Sequence, residues 1–171
     1  NFTISHIKEA KSISKVSIAT NQVEYHPYLN QEELLKYCIE NNIVITAYSP
    51  LARGRILKDS LLNEIAKKHK KTVSQVALKW LIQKGMIVIP KASSESHLKE
   101  NFDIFSFELT KEEINSINSI NKKERVVNPG FSEFEDWDKT ENFIYAIPFN
   151  KLALPSFPTA TITFLLMSFI F

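Results

Sequence analysis

The chain has 171 residues, about the size of one domain, and its 44% hydrophobic content is enough to build a core. Its 21 basic and 19 acidic residues nearly cancel and are interleaved, which excludes a basic nucleic-acid surface. A single cysteine, Cys38, excludes an internal disulfide framework and points to a reducing, cytoplasmic compartment.

Along the chain, a helix is predicted near residues 4–13, followed by a β-rich run over Val16–Glu24. Asn30 precedes Gln31-Glu32-Glu33-Leu34-Leu35 in a capping-box pattern that starts a second helix. Cys38 lies in that helix's apolar stripe and is read as a buried thiol. A nearly continuous apolar run, Ile43–Tyr48, has the pattern of a strand covered on both faces. A helix over 59–69 ends in Lys67-Lys68-His69-Lys70-Lys71, a basic end that suits the helix dipole and is read as solvated. Thr72 caps the next helix, and Gly85 suits its left-handed stop. A third strand covers Met86–Pro90, a helix is predicted over 95–102, and Thr110 caps a last one with Glu112 and Glu113 in its first turn. His26, before Pro27, is read as a turn or packing residue. The four histidines and Cys38 show no metal-ligand spacing, so no metal is expected.

Alternating strands and helices imply an α/β fold with a parallel sheet and helical crossovers. Three strands are too few to close a barrel, and a lone three-stranded sheet leaves two edges and a face uncovered. Periodicity alone leaves both a piece of a barrel and a small doubly wound domain open. With three glycines the chain has no Gly-rich phosphate loop. After Glu141 the only charged side chain is Lys151, and Leu152–Phe171 is uncharged. We therefore divide the chain into 1–141 and a divergent hydrophobic tail, 142–171. Pro155 and Pro158 leave 13 uninterrupted residues in that run, about 20 Å of helix against a hydrocarbon core of about 30 Å, so a membrane anchor is not expected.

Four segments then become specific. They are Asn1-Phe2, Asn21-Gln22-Val23-Glu24-Tyr25-His26-Pro27-Tyr28-Leu29, Ala47-Tyr48-Ser49-Pro50-Leu51-Ala52-Arg53-Gly54, and Ile89-Pro90-Lys91-Ala92-Ser93-Ser94 with His97 and Glu100-Asn101-Phe102. In this order they resemble the aldo-keto reductase family at the end of its fifth strand and at its sixth, seventh and eighth strands. The resemblance fades after Asp136-Trp137-Asp138. It implies the C-terminal part of a (β/α)8 TIM barrel, an incomplete one, with about strands 6–8 and their helices.

The resemblance also implies a nicotinamide site, NADP or NAD. Asn1 and Gln22 would meet the carboxamide, and Tyr48 would stack on the ring. Ser49, Leu51, Arg53 and Gly54 would line the pyrophosphate. Lys91, Ala92 and Ser93, at a helix N-terminus, would receive the adenosine phosphate, with Glu100 and Asn101 near the adenine. Where many NADPH-using members carry arginine and serine, this chain has His97 and Ala92, a weaker grip on a 2′-phosphate. The family's catalytic Tyr, Lys, Asp and His precede Asn1 in its pattern, so no catalytic residue is assigned here. The abrupt opening at Asn1 leads us to expect a preceding part. The implied parent reduces small-molecule aldehydes and ketones, acts in the cytoplasm and is a monomer when complete, while residues 1–171 alone are expected to be inactive. The alternative is a non-catalytic cofactor-binding or inactive truncated relative.

Overall fold

The computed structural model describes residues 1–128. The 142–171 tail, its boundary and the Asp136–Asp138 segment lie outside the described residues. The elements are α1 (Ile4–Ile13), β1 (Thr20–Glu24), α2 (Glu32–Glu40), β2 (Val44–Tyr48), α3 (Ser60–His69), α4 (Val73–Gln83), β3 (Ile87–Val88), α5 (Glu95–Phe102) and α6 (Lys111–Ser119). Two 3₁₀ segments, Ala52–Lys58 and Asp103–Phe105, were not foreseen.

Helix starts follow local chemistry. Thr72 and Gln75 cap α4 reciprocally, and Thr110 and Glu113 do the same for α6. Asp59 caps α3, accepting the Leu62 N–H at 3.2 Å. Gly85 takes φ +79° after α4, as its position required. Asn30 departs from expectation. Gln31 is the cap residue of α2 and makes no side-chain cap bond. The Asn30 amide instead donates to the Asn118 carbonyl at 3.1 Å, tying this loop to α6. A tertiary partner 88 residues away outcompetes the local cap.

The strands are shorter than their apolar runs. Pairing begins at the Ala19 carbonyl, which accepts the Val44 N–H at 3.0 Å, while Val16 is 78% exposed and sits in a turn closed by Ser14. β3 is two residues long, although the Ile89 N–H beyond it still reaches the Ala47 carbonyl at 3.4 Å. All pairs are parallel, in the order β1-β2-β3, with Gln22 opposite Thr46, Glu24 opposite Tyr48, and Thr46 opposite Ile87.

Side chains alternate across this sheet. One face sends Val23, Ile45 and Ala47 into a core shared with Leu34, Leu35 and Cys38 of α2, Leu62 and Ile65 of α3, and Val76, Trp80 and Leu81 of α4. The other face is open: Val44 is 41%, Ile87 50% and Ile89 44% exposed.

The basic end of α3 is not the solvated run expected. Lys67, Lys68 and Lys70 are exposed, but Lys68 and His69 also reach the buried Glu113 at 2.6 and 2.9 Å, and Lys71 reaches Asp103 at 2.5 Å. The run joins α3 to α6 and to the segment after α5. Among the described residues no helix is long and apolar enough to cross a membrane.

Candidate functional site at the strand ends

The three strands run the same way, so their C-terminal ends share one rim of the sheet. Asn1 reaches this rim because Phe2 is clamped to β1. The buried Asn21 side chain accepts the Phe2 N–H at 3.1 Å and donates to the Phe2 carbonyl at 2.8 Å. The Asn1 backbone nitrogen then donates to the Gln22 carbonyl at 2.6 Å. Tyr48 is half-buried at the end of β2, and Asn1 lies close enough to lower the pKa of its phenol. The structure therefore brings Asn1, Gln22 and Tyr48 together, with the Gln22 side chain exposed on the open face.

Past β2 the backbone turns sharply. Ser49 (φ 49°), Ala52 (φ 47°), Arg53 (φ 51°) and Gly54 (φ 87°) are all left-handed, a strained conformation for the three non-glycines. Short turns hold the loop, Ala52 N–H to Ser49 O and Gly54 N–H to Leu51 O, each 2.8 Å. Ser49, Leu51 and Gly54 are partly exposed, and the Arg53 side chain is exposed.

The third group follows β3. The Ile89 N–H reaches the Ala47 carbonyl at 3.4 Å, which fixes the chain two residues before Lys91. Lys91, Ser93 and His97 are exposed, and Ala92, Glu100 and Asn101 are partly buried. At the N-terminus of α5, Ser94 Oγ accepts the His97 N–H at 3.2 Å as a cap.

Sequence reasoning missed Glu24. This carboxylate is fully buried at the end of β1, beside Tyr48 in register. It accepts the Val126 N–H at 2.6 Å and the Val127 N–H at 3.2 Å, with His26 Nε2 at 3.0 Å and Arg125 Nη1 at 3.8 Å. Burial alone would raise its pKa, but the His26 bond and the two amides outweigh this and hold it below the ordinary value. The one available signal was a carboxylate two residues before a histidine in an apolar strand end. His26 is a buried turn residue, as expected, bridging to Leu29. The Tyr48 phenol is pushed up by burial and then by Glu24, against Arg125 and Asn1.

Cys38 is buried, and burial raises its thiol, so it has little thiolate character. Among the described residues no group of three or more His, Cys, Asp or Glu could hold a metal. A hollow of about 280 Å³ lies along α2, lined by Glu32, Leu35, Lys36, Ile39 and Glu40, away from this rim.

The model of the Aldo/keto reductase family matches residues 1–122. The chain belongs to this family. Its similarity to the glyoxal reductase of Bacillus subtilis (strain 168) is 44% identity over 126 residues, covering 74% of this chain and 46% of the relative. An aldo-keto reductase enzyme from a Medee basin deep-sea metagenome library has a similar structure, with TM-score 0.72 and 37% identity over 74% of this chain and 48% of that one. A Bombyx mori aldo-keto reductase solved in complex with NADP gives TM-score 0.70 and 34% identity, covering 80% and 46%. The chain thus spans about half the length of the aldo/keto reductases it matches, with the match over its own first 122 residues. The family's (β/α)8 fold is consistent with the parallel strands and helical crossovers seen here.

Proposed function

We propose that this chain supplies the cofactor-binding part, about the last three strands, of a barrel that reduces small-molecule aldehydes and ketones with NADPH or NADH in the cytoplasm. The observation that carries this is the gathering of Asn1, Gln22 and Tyr48 at the ends of β1 and β2, with the Ser49–Gly54 loop and the Lys91–Asn101 segment next along the same rim.

The donor set fits an extended dinucleotide. Gln22 and Asn1 offer neutral amides, which match a carboxamide with both donors and an acceptor. Tyr48 offers a ring of suitable polarity to stack. Arg53 and Lys91 place cations where two phosphate groups would fall, one after β2 and one after β3. Ser49, Leu51 and Gly54 line the middle, and Ala92, Ser93, His97, Glu100 and Asn101 the far end. A bound reduced nicotinamide would supply the hydride. This chain's own residues orient the ring and neutralise the phosphates.

The proton donor belongs elsewhere in the parent. Burial and the Glu32 hydrogen bond push Tyr25 far above any useful acid range, and burial with the Asp59 bond pushes Tyr28 up to about 12. Neither tyrosine is a candidate acid, and residues 1–171 alone carry out no carbonyl reduction in this reading. The chain's remaining partner is the small-molecule carbonyl, with no nucleic acid, membrane or metal, and the complete parent is a monomer.

The test fuses the upstream part of the Bacillus subtilis relative to this chain and titrates NADPH and NADH into the fusion and into the chain alone. The expected result is aldehyde-dependent NAD(P)H oxidation by the fusion and none by the chain. Oxidation above the buffer blank by the chain alone, or a fusion that folds but binds neither nucleotide, overturns the reading.

A further inference from the structure

The segment after α6 has no regular structure over residues 121–128, yet the Lys122, Lys123, Glu124, Val126 and Val127 N–H groups all have acceptors. The Tyr28 carbonyl accepts the Lys122 and Glu124 N–H groups at 3.1 and 3.0 Å. Lys122 Nζ sits 3.6 Å over the Tyr28 ring, and Glu124 pairs with Arg55 in the loop that follows β2. Val126 and Val127 donate to the Glu24 carboxylate. The segment is therefore a strap across the strand ends. It is fastened to the β1 end at one side and to the post-β2 loop at the other.

Glu24 is the buried fastening. A fully buried carboxylate costs several kcal/mol unless it is paired and hydrogen-bonded. Here two consecutive amides from more than 100 residues away, together with His26 and Arg125, supply that pairing. An amide side chain could accept only through one oxygen and would turn its own N–H groups toward a backbone donor. We propose that Glu24 is a positioning residue: its carboxylate anchors the Arg125–Val127 strap at the end of β1 and thereby fixes the placement of Tyr48 on the adjoining strand end.

The consequence for the cofactor rests on the reading given under Proposed function; the anchoring itself does not. The hydrogen bonds of Glu24 run to His26, Val126 and Val127, and not to the residues assigned to the adenosine phosphate. Loss of the anchor should loosen Tyr48 and weaken both nucleotides alike, without changing the preference between them.

The experiment uses the full 171-residue chain, unmodified and as Glu24→Gln. Backbone amide exchange is followed at Val126 and Val127, and the ring signals of Tyr48 are followed with ¹³C-labelled tyrosine, Tyr48→Phe identifying the resonance. NADPH and NADH are the titrants. Glu24→Gln should speed Val126 and Val127 exchange by about tenfold or more, since hydrogen bonds to a charged acceptor are lost, while α4 amides stay protected. The Tyr48 ring signals should shift and broaden, in Glu24→Gln and equally in Val126→Pro where the carboxylate charge is kept, and both nucleotides should weaken by the same factor. If Glu24→Gln loses α4 protection, Val126→Pro takes its place; it removes one donor and keeps the Glu24 charge, so a shift of the Tyr48 ring signals in that variant reports placement alone. Unchanged exchange at Val126 and Val127 overturns the anchor. Faster exchange with an unmoved Tyr48 signal overturns the positioning role. An unmodified chain that binds neither nucleotide counts against the cofactor reading, and the exchange and Tyr48 signals still decide the anchor.

Discussion

The two faces of the sheet have opposite fates. Toward the helices, Val23, Ile45 and Ala47 are 2%, 1% and 0% exposed; toward the other side, Val44 and Ile87 are 41% and 50% exposed. Both faces carry β-branched apolar residues, although the open one also carries Gln22 and Thr46. The helices that cover the first face lie next in sequence to the strands they cover. At Val44, Ile87 and Ile89 the second face stays exposed, while its Glu24 end is covered by Val126 and Val127. The helical layer is thus coded locally, while the open face sets apolar Val44 and Ile87 beside Gln22 and Thr46. A barrel interior made with other strands would account for it.

The largest effect expected from this contrast is on the covered side. Trp80 is fully buried against Tyr25, ring centroids 5.8 Å apart, and donates to Asn118 at 2.9 Å. Trp80→Ala should cost about 3–5 kcal/mol in urea unfolding of the chain. Val44→Thr on the open face should change stability by less than about 0.5 kcal/mol in the chain, and by clearly more in the completed barrel. Equal costs in the two contexts would remove the case that this face is built to be covered.

The next largest lies inside the helical layer. Burial pushes the Glu113 carboxyl up, but hydrogen bonds from Lys68, the Thr110 backbone and His69 overcome it and hold the pKa at about 2, against an ordinary 4.5. The folded value is the lower one, so the unfolded chain binds more protons in that window. The contribution is complete above about pH 5 and is lost as pH falls toward 2, at most about 3 kcal/mol. Glu113→Gln should be less stable near pH 7 and should flatten the acid limb of stability against pH. An unchanged acid limb would mean that the link between α3 and α6 is not held by this charge.

What could be read in advance follows the same divide. Thr72 and Thr110 were legible because a cap involves residues three apart. Asn30 was misread because its partners are Asn118 and Asn121. The strand starting at Val16 was overextended because apolar patterning cannot show where a neighbour begins to pair. At the rim, the amides, Tyr48 and Lys91 were visible as motifs. Glu24 was hidden, since its role depends on two backbone amides across the whole chain. The left-handed Ala52 and Arg53 were equally hidden, because neither residue type announces that conformation.

Smaller effects belong to the rim. His97 is exposed at the start of α5, near Lys91 in sequence, and its backbone is already fixed by the Ser94 cap. In the fusion protein, NADH should bind at least comparably to NADPH. His97→Arg should tighten NADPH by about 1–3 kcal/mol if the guanidinium makes a charge-assisted contact with the 2′-phosphate, and should leave NADH unchanged. Parallel gains for both nucleotides would place the new charge at the pyrophosphate instead.

The smallest effect isolates the ring. Tyr48 lies on the open face at the end of β2, half-buried, with Asn1 near its phenol. Stacking uses the ring and not the hydroxyl. Tyr48→Ala in the fusion should weaken NADPH and NADH together, by roughly 0.5–1.5 kcal/mol beyond the area lost. Tyr48→Phe keeps the ring and gives up only the hydroxyl, so its nucleotide affinity should stay close to that of the unmodified fusion. The two variants are compared by fluorescence titration at one ionic strength, because the phosphates make affinity salt-dependent. If Phe binds as poorly as Ala, the hydroxyl is what the site needs: Tyr48 then acts by holding Asn1 in place, and the stacking role is wrong.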